Sequence, residues 1–183
     1  MSISKFKYFF DCCVGSWMAQ RTYHNLTHQE VERSLTEFTI EPLSSPLKTK
    51  VLMDNQQPDL PNINDLCGYH LGFETVSEKG ERVSQQLNML FVPQVQESMI
   101  LEGDYLRDRA YEEAKPKVAH FSFDTNKLEL LMTTYYTRVV SVDSITLINP
   151  NLRIRKIINY QRPPESEPLD KVVLVGFGVE QKV

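Results

Sequence analysis

From Gly15 onward the chain is a succession of short segments in which apolar and polar side chains alternate, each ended by a sharp break. A period of two is the pattern of strands with one buried face. Strands are expected over Gly15 to Tyr23, Val31 to Glu41, Cys67 to Thr75, Ser84 to Val92 and Ser98 to Asp108, then over Lys117 to Asp124, Lys127 to Tyr136, Val139 to Ile148, Arg153 to Gln161 and Val172 to Gln181. Lys79-Gly80-Glu81, Asp124-Thr125-Asn126 and Asn149-Pro150-Asn151 read as tight turns, and Arg162-Pro163-Pro164-Glu165 as an irregular connector. About ten strands in series with short turns favour an all-β, up-and-down antiparallel barrel over a sandwich. Closure removes exposed edges, and a barrel of this size leaves room for one small ligand.

Two helices complete the outline. Phe6, Phe9, Phe10 and Cys13 recur at helical spacing in Ser2 to Cys13. Between Ser44 and Leu66, Pro46 suits a first helical position and Lys48, Val51, Leu52 and Met53 a short helix, followed by a polar loop from Pro58 to Pro61.

A length of 183 residues suits one domain, 1–183, with a sizeable core. The net charge of -4 and the lack of a basic stripe argue against nucleic acid as partner. The first helix carries Lys5 and Lys7 and no small-residue cleavage site, so it does not read as a signal peptide. The apolar runs fall short of the roughly 18 residues that span a bilayer, and a soluble cytosolic protein without membrane contact is expected. Cys12, Cys13 and Cys67 lack metal-ligand spacing and are expected to be reduced core residues. Asn25-Leu26-Thr27 matches a glycosylation acceptor but means little without a secretory signal. His24, His28, His70 and His120 form no defined pair with Cys67, and no hydrolase, nucleotide-binding or Asp-rich metal motif is present; no metal is expected.

The informative residues are arginines inside strands. In the first strand Trp17, Ala19, Arg21 and Tyr23 share one parity and look inward, whereas Gln20, Thr22 and His24 look outward. A guanidinium on the inner face costs several kcal/mol unless an anion meets it, so a cavity built this way calls for an anionic ligand. Arg153 and Arg155 share parity with Asn151, but the opposite parity holds Leu152, Ile154 and Ile158, and alternation does not decide which face is inside. Acidic candidates are Asp143, in phase with Ile145 and Leu147, Glu180, in phase with Gly176 and Gly178, and also Glu74 and Glu129. The two glycines leave space beside Glu180.

Gly15-x-Trp17-x-x-Gln20-Arg21-Thr22-x-His24, Cys67-Gly68 leading to Phe73-Glu74, Phe91-Val92-Pro93, Gly103-Asp104-Tyr105-Leu106-Arg107-Asp108, Tyr111, Asn149-Pro150-Asn151-Leu152-Arg153-Ile154-Arg155 and the late Glu180 together give the chain its family character. Over nearly its whole length it resembles the S/U-type phycobiliprotein lyases, the CpcS, CpeS and CpcU group. The resemblance implies a lipocalin-like (calycin) barrel that binds an open-chain tetrapyrrole, a bilin such as phycocyanobilin or phycoerythrobilin. It further implies transfer of that bilin, through a thioether bond, to a cysteine of an apo-phycobiliprotein subunit. The bilin is then the substrate, and no separate cofactor is expected.

On the same resemblance Arg21 and Arg153 fall at substrate-binding positions together with Arg155, Trp17 and Phe73, while Asp143 and Glu180 fall at the catalytic carboxylates. Asp143 stands where the family usually has Glu, and Phe73 where Trp is common. The Val139-Val140-Ser141-Val142-Asp143 lead-in and the tail Val179-Glu180-Gln181-Lys182 look more like the U-type branch. The expected partners therefore include a second copy or an S-type lyase subunit in a heterodimer, and the expected setting is the cyanobacterial cytoplasm or plastid stroma. The alternative is a non-catalytic bilin carrier, or the U-type partner of a heterodimeric lyase.

Overall fold

The computed structural model describes residues 2–57, 60, 62–97, 99–108 and 118–183. Ser98, Lys117 and Tyr111, and Pro58 and Pro61 of the expected loop, lie outside the described residues. Helix α1 (Ser2–Cys13) precedes strands β1 (Gly15–Asn25) and β2 (Glu30–Pro42). Helix α2 (Ser45–Asp54) and a single 3-10 turn (Ile63–Asp65) come next. Then follow β3 (Gly68–Ser77), β4 (Arg82–Glu97), β5 (Ile100–Arg107), β6 (Val118–Asp124), β7 (Glu129–Tyr135), β8 (Val139–Asn149), β9 (Leu152–Gln161) and β10 (Val172–Lys182). The chain winds once around a closed barrel in which β1 pairs antiparallel with both β2 and β10.

Strand alternation decides what goes inside. In β2, Ser34, Thr36, Phe38 and Ile40 are buried while every intervening side chain is exposed. The turns follow from local chemistry: the backbone N–H groups of Asn126 and Lys127 donate to Asp124 Oδ1 at 2.9 and 3.1 Å, and that of Asn151 donates to Asn149 Oδ1 at 2.9 Å. Strand β4 runs past the expected end at Val92. The ladder to β5 shifts register between Pro93 and Val95, beside the Pro93–Gly103 pair, because proline has no N–H to give. Gly103 allows the backbones to meet there, since a Cβ on it would lie 2.1 Å from the Val92 carbonyl oxygen.

Helix α1 closes one end of the barrel. Its Phe6 stacks on Phe121 at 5.4 Å and its Phe10 on Tyr69 at 4.5 Å, while Phe9 packs edge-on to Phe123 at 5.2 Å. The Trp17 indole N–H donates to the Cys13 carbonyl at 2.8 Å, tying the end of α1 to the first strand. Helix α2 has proline in its first turn, as expected, and lays Val51 and Leu52 over the outer faces of Leu90, Val92 and Leu106. The apolar core thus fills the α1 end, and the other end is left hollow.

Candidate functional site

The hollow has a volume of about 570 Å³, within the range of roughly 300–1,000 Å³ usual for small-molecule sites. Its walls include Phe38, Tyr69, Leu71, Phe73, Met89, Phe91, Leu130, Met132 and Ile145, and Glu30, Glu32 and Glu81 stand at its mouth. Into this largely apolar space project four guanidiniums: Arg21 from β1, Arg107 from β5, and Arg153 and Arg155 from β9. A depression of about 720 Å³ at Thr137, Arg138 and Arg162 to Pro164 lies outside the barrel and opens widely to solvent.

The odd-numbered residues of β9 face inward, which resolves the parity left open by the sequence. Arg153 is buried, and Leu152, Ile154 and Ile158 are half-buried on the outer face. Pairing of Ala19 with Glu180 and of Arg153 with Glu180 in the neighbouring ladders brings three remote segments together. Arg153 donates from Nε and Nη2 to Glu180 Oε2 at 3.0 and 2.6 Å, and Arg21 Nη2 approaches Oε1 at 3.4 Å. The space that Gly176 and Gly178 leave is occupied. A Cβ on Gly176 would lie 2.8 Å from the Tyr23 ring, and one on Gly178 3.2 Å from Arg21 Cγ, so Arg21 reaches Glu180 by lying across Gly178.

Glu180 is fully buried and absent from the cavity wall. Burial pushes its carboxyl up, but the guanidiniums of Arg153, Arg155 and Arg21 outweigh that and hold it below the ordinary carboxylate range. Trp17 is likewise buried beneath the cavity, and the Arg153 guanidinium sits 4.5 Å above its ring. Asp143 does face the cavity: Arg155 Nε donates to its Oδ1 and Oδ2 at 2.9 and 3.1 Å, and Arg155 Nη2 also binds Oδ2. Phe73 lines the wall.

Of the seven site residues expected from sequence, Arg21, Arg153, Arg155, Asp143 and Phe73 therefore line one cavity, with Glu180 and Trp17 directly behind two of the arginines. The other two acidic candidates are elsewhere. Glu74 pairs with Arg82 at 2.8 Å on the outer surface, and Glu129 with Lys156 at 3.3 Å. Among the described residues no cysteine or histidine lines the cavity. Cys12, Cys13 and Cys67 are free thiols, and burial pushes the Cys67 thiol up to about 11. Among the described residues no three His, Cys, Asp or Glu side chains converge as metal ligands.

Sequence reasoning missed Arg107, Tyr136, Thr134 and Asn159 on the same wall. The β5 alternation is masked because α2 covers Leu106 on the outside, so both faces of Leu101–Arg107 are buried apart from Glu102. Two of the inward arginines carry a buried Nε with no hydrogen-bond partner among the described residues, Arg21 and Arg107, and Asn159 Oδ1 and Ser34 Oγ are also unpartnered. Below the mouth four guanidiniums face two carboxylates, Asp143 and Glu180, so two guanidinium charges are unmatched there, while Glu30, Glu32 and Glu81 carry negative charge at the rim. Such a space is suited to an extended apolar ligand bearing two acidic groups.

The CpeS-like protein family model matches residues 5–183. The chain is 59% identical over 182 residues to Chromophore lyase CpcS/CpeS 1 of Synechococcus sp. (strain JA-3-3Ab), covering 100% of this chain and 98% of that relative. It is 29% identical over 150 residues to Chromophore lyase CpcS/CpeS of Thermosynechococcus vestitus (strain NIES-2133 / IAM M-273 / BP-1), covering 82% of this chain and 81% of the relative. The solved structure of the S-type phycobiliprotein lyase CPES from Guillardia theta superposes with a TM-score of 0.76 at 18% identity, covering 100% of this chain and 93% of that one, and shares the barrel fold. The match of sequence from end to end, on a barrel of the same architecture, establishes that this chain belongs to the CpeS-like protein family.

Proposed function

We propose that this protein is a phycobiliprotein chromophore lyase, which holds an open-chain tetrapyrrole in the barrel and delivers it to a cysteine of an apo-phycobiliprotein subunit. The observation that carries the reading is an apolar cavity with two guanidinium charges unmatched below its acidic rim, which matches a flexible conjugated strip bearing two propionates. The names of the relatives support the same class. Phycocyanobilin or phycoerythrobilin is the proposed substrate, and no separate cofactor enters the reaction.

Among the described residues no thiol lines the cavity, and in this reading the nucleophile comes from the client. Its thiolate adds to the ring-A ethylidene carbon, a carbon–sulfur bond forms, and the displaced π-electron pair takes up one proton. No oxidant or reductant is required. Asp143, held by Arg155 at the cavity wall, is the carboxylate that meets the ligand and guides that proton. Arg21, which lines the cavity and meets Glu180 only at 3.4 Å, takes one propionate, and Phe73 packs on the conjugated system. Glu180 and Trp17 act as positioning residues, through Arg21 and Arg153. By fixing one bound geometry the barrel limits wrong-face addition.

The free thiols suit a reducing compartment, and the cyanobacterial cytoplasm or plastid stroma is the proposed setting. No helix among the described residues is long and apolar enough to cross a membrane. The outer faces of β1, β2 and β10 expose Met18, Leu35, Phe177 and Val179 close together, which favours association with a second lyase subunit, either a copy of this chain or an S-type partner.

Coexpression with bilin-making enzymes and candidate apo-subunits, with and without an S-type lyase, tests the reading. The client should show zinc-dependent fluorescence after denaturation in at least one arm. Bilin bound to this chain with a colourless client in every arm would leave a carrier rather than a lyase.

A further inference from the structure

Arg107 is the one inward guanidinium for which the described residues offer no carboxylate within 4.0 Å. It is only 8% exposed. Its cation lies 5.2 Å from the centre of the Tyr105 ring and 5.5 Å from that of Tyr136. Nη1 donates to Tyr136 Oη at 2.9 Å, Nη2 reaches Thr134 Oγ1 at a long 3.5 Å, and the buried Nε has no partner among the described residues. Burying a cation on these terms is unfavourable, and Arg153 and Arg155 offset that cost through Glu180 and Asp143. Arg107 is therefore incomplete as a structural residue.

The surrounding groups indicate what completes it. Tyr136 and Thr134 both accept from the guanidinium, so each hydroxyl keeps its own proton to donate. A guanidinium with donors left over, on a cavity wall beside two hydroxyl donors, is a site for a carboxylate. β5 stands four strands from β1 in one direction around the barrel and six in the other, so Arg107 faces the cavity from across Arg21.

We propose that Arg107, with Tyr136 and Thr134, binds one carboxylate of the ligand, while Arg21 on the far wall takes the other. The inference rests on the reading of the ligand as a tetrapyrrole dicarboxylate. It makes Arg107 a substrate-binding residue that sets how the chromophore spans the barrel.

Titration of the purified protein with biliverdin and with biliverdin dimethyl ester, followed by absorbance, tests this. Arg107→Gln should weaken biliverdin binding roughly ten- to a hundredfold and leave the ester within about twofold of wild type. Arg107→Lys should fall between, because an ammonium keeps the charge but loses the planar fork. If Arg107→Gln does not fold, Arg107→Lys carries the same acid-against-ester comparison. Equal losses for acid and ester, or no loss for either, would overturn the assignment while leaving the tetrapyrrole reading in place. A wild-type protein that binds neither compound would overturn both.

Discussion

Glu180→Gln isolates the central ion-pair cluster. In the native protein one fully buried carboxylate neutralises Arg153 through two hydrogen bonds of 3.0 and 2.6 Å and partly neutralises Arg21 at 3.4 Å. Glutamine keeps the shape but removes the charge, and its amide N–H groups would face guanidinium donors. Breaking a buried pair by removing one partner costs about 3–5 kcal/mol. The lower end applies here because Arg21 also faces the cavity, where water can solvate it. A loss of about 3 kcal/mol in a domain of this size lowers Tm by about 6–12 °C. The effect also has a sign in pH. The folded carboxyl titrates below its ordinary value, so its contribution is complete above about pH 5 and is lost as pH falls through the depressed folded value. Urea unfolding of both proteins from pH 7 down to pH 3 should therefore show the largest gap at neutral pH, with the curves converging in acid. Arg153→Met added to Glu180→Gln should recover part of the loss, since it removes one stranded cation. A single variant within about 0.5 kcal/mol of wild type at pH 7, or a gap that widens in acid, would refute the assignment of Glu180 as counter-ion to these arginines.

Two further outcomes follow from the same structure. With its thiol pushed up to about 11 by burial, Cys67 should react slowly with a thiol reagent at pH 8 and faster only as pH approaches 11, and Cys67→Ser should leave chromophore transfer intact; transfer lost with folding preserved would move Cys67 into the mechanism. Gly103→Ala should cost roughly 3 kcal/mol, at the upper end of overpacking, because the added carbon meets backbone rather than a side chain that can turn away. Chemical denaturation reads this directly, and an unchanged midpoint would mean that β4 and β5 are not so tightly joined at Pro93.

Much of the architecture is legible in the residues because alternation is a local property. The series of short strands, the amphipathic first helix, the proline-led second helix and the inward face of β1 all follow from neighbours within a few positions. Arg21 could be assigned inward because its own parity carries Trp17 and Ala19 while the other carries Gln20 and Thr22. That argument fails wherever both parities are apolar. On β9 the outer face holds Leu152, Ile154 and Ile158, and on β5 helix α2 hides the outer face.

The tertiary structure alone decided how the charges are matched. Glu180 meets Arg153 within the pairing of the consecutive strands β9 and β10, 27 positions apart, but it meets Arg21 across 159 positions, a contact that exists only because β10 also pairs with β1 and closes the barrel. Among the described residues Arg107 ends with two hydroxyls and no carboxylate, because Glu180 and Asp143 pair with the other arginines. A period-two pattern fixes which side chains share a face, but closure and register determine which faces meet. The two unmatched guanidinium charges below the rim are therefore a property of the closed barrel rather than of any segment within it.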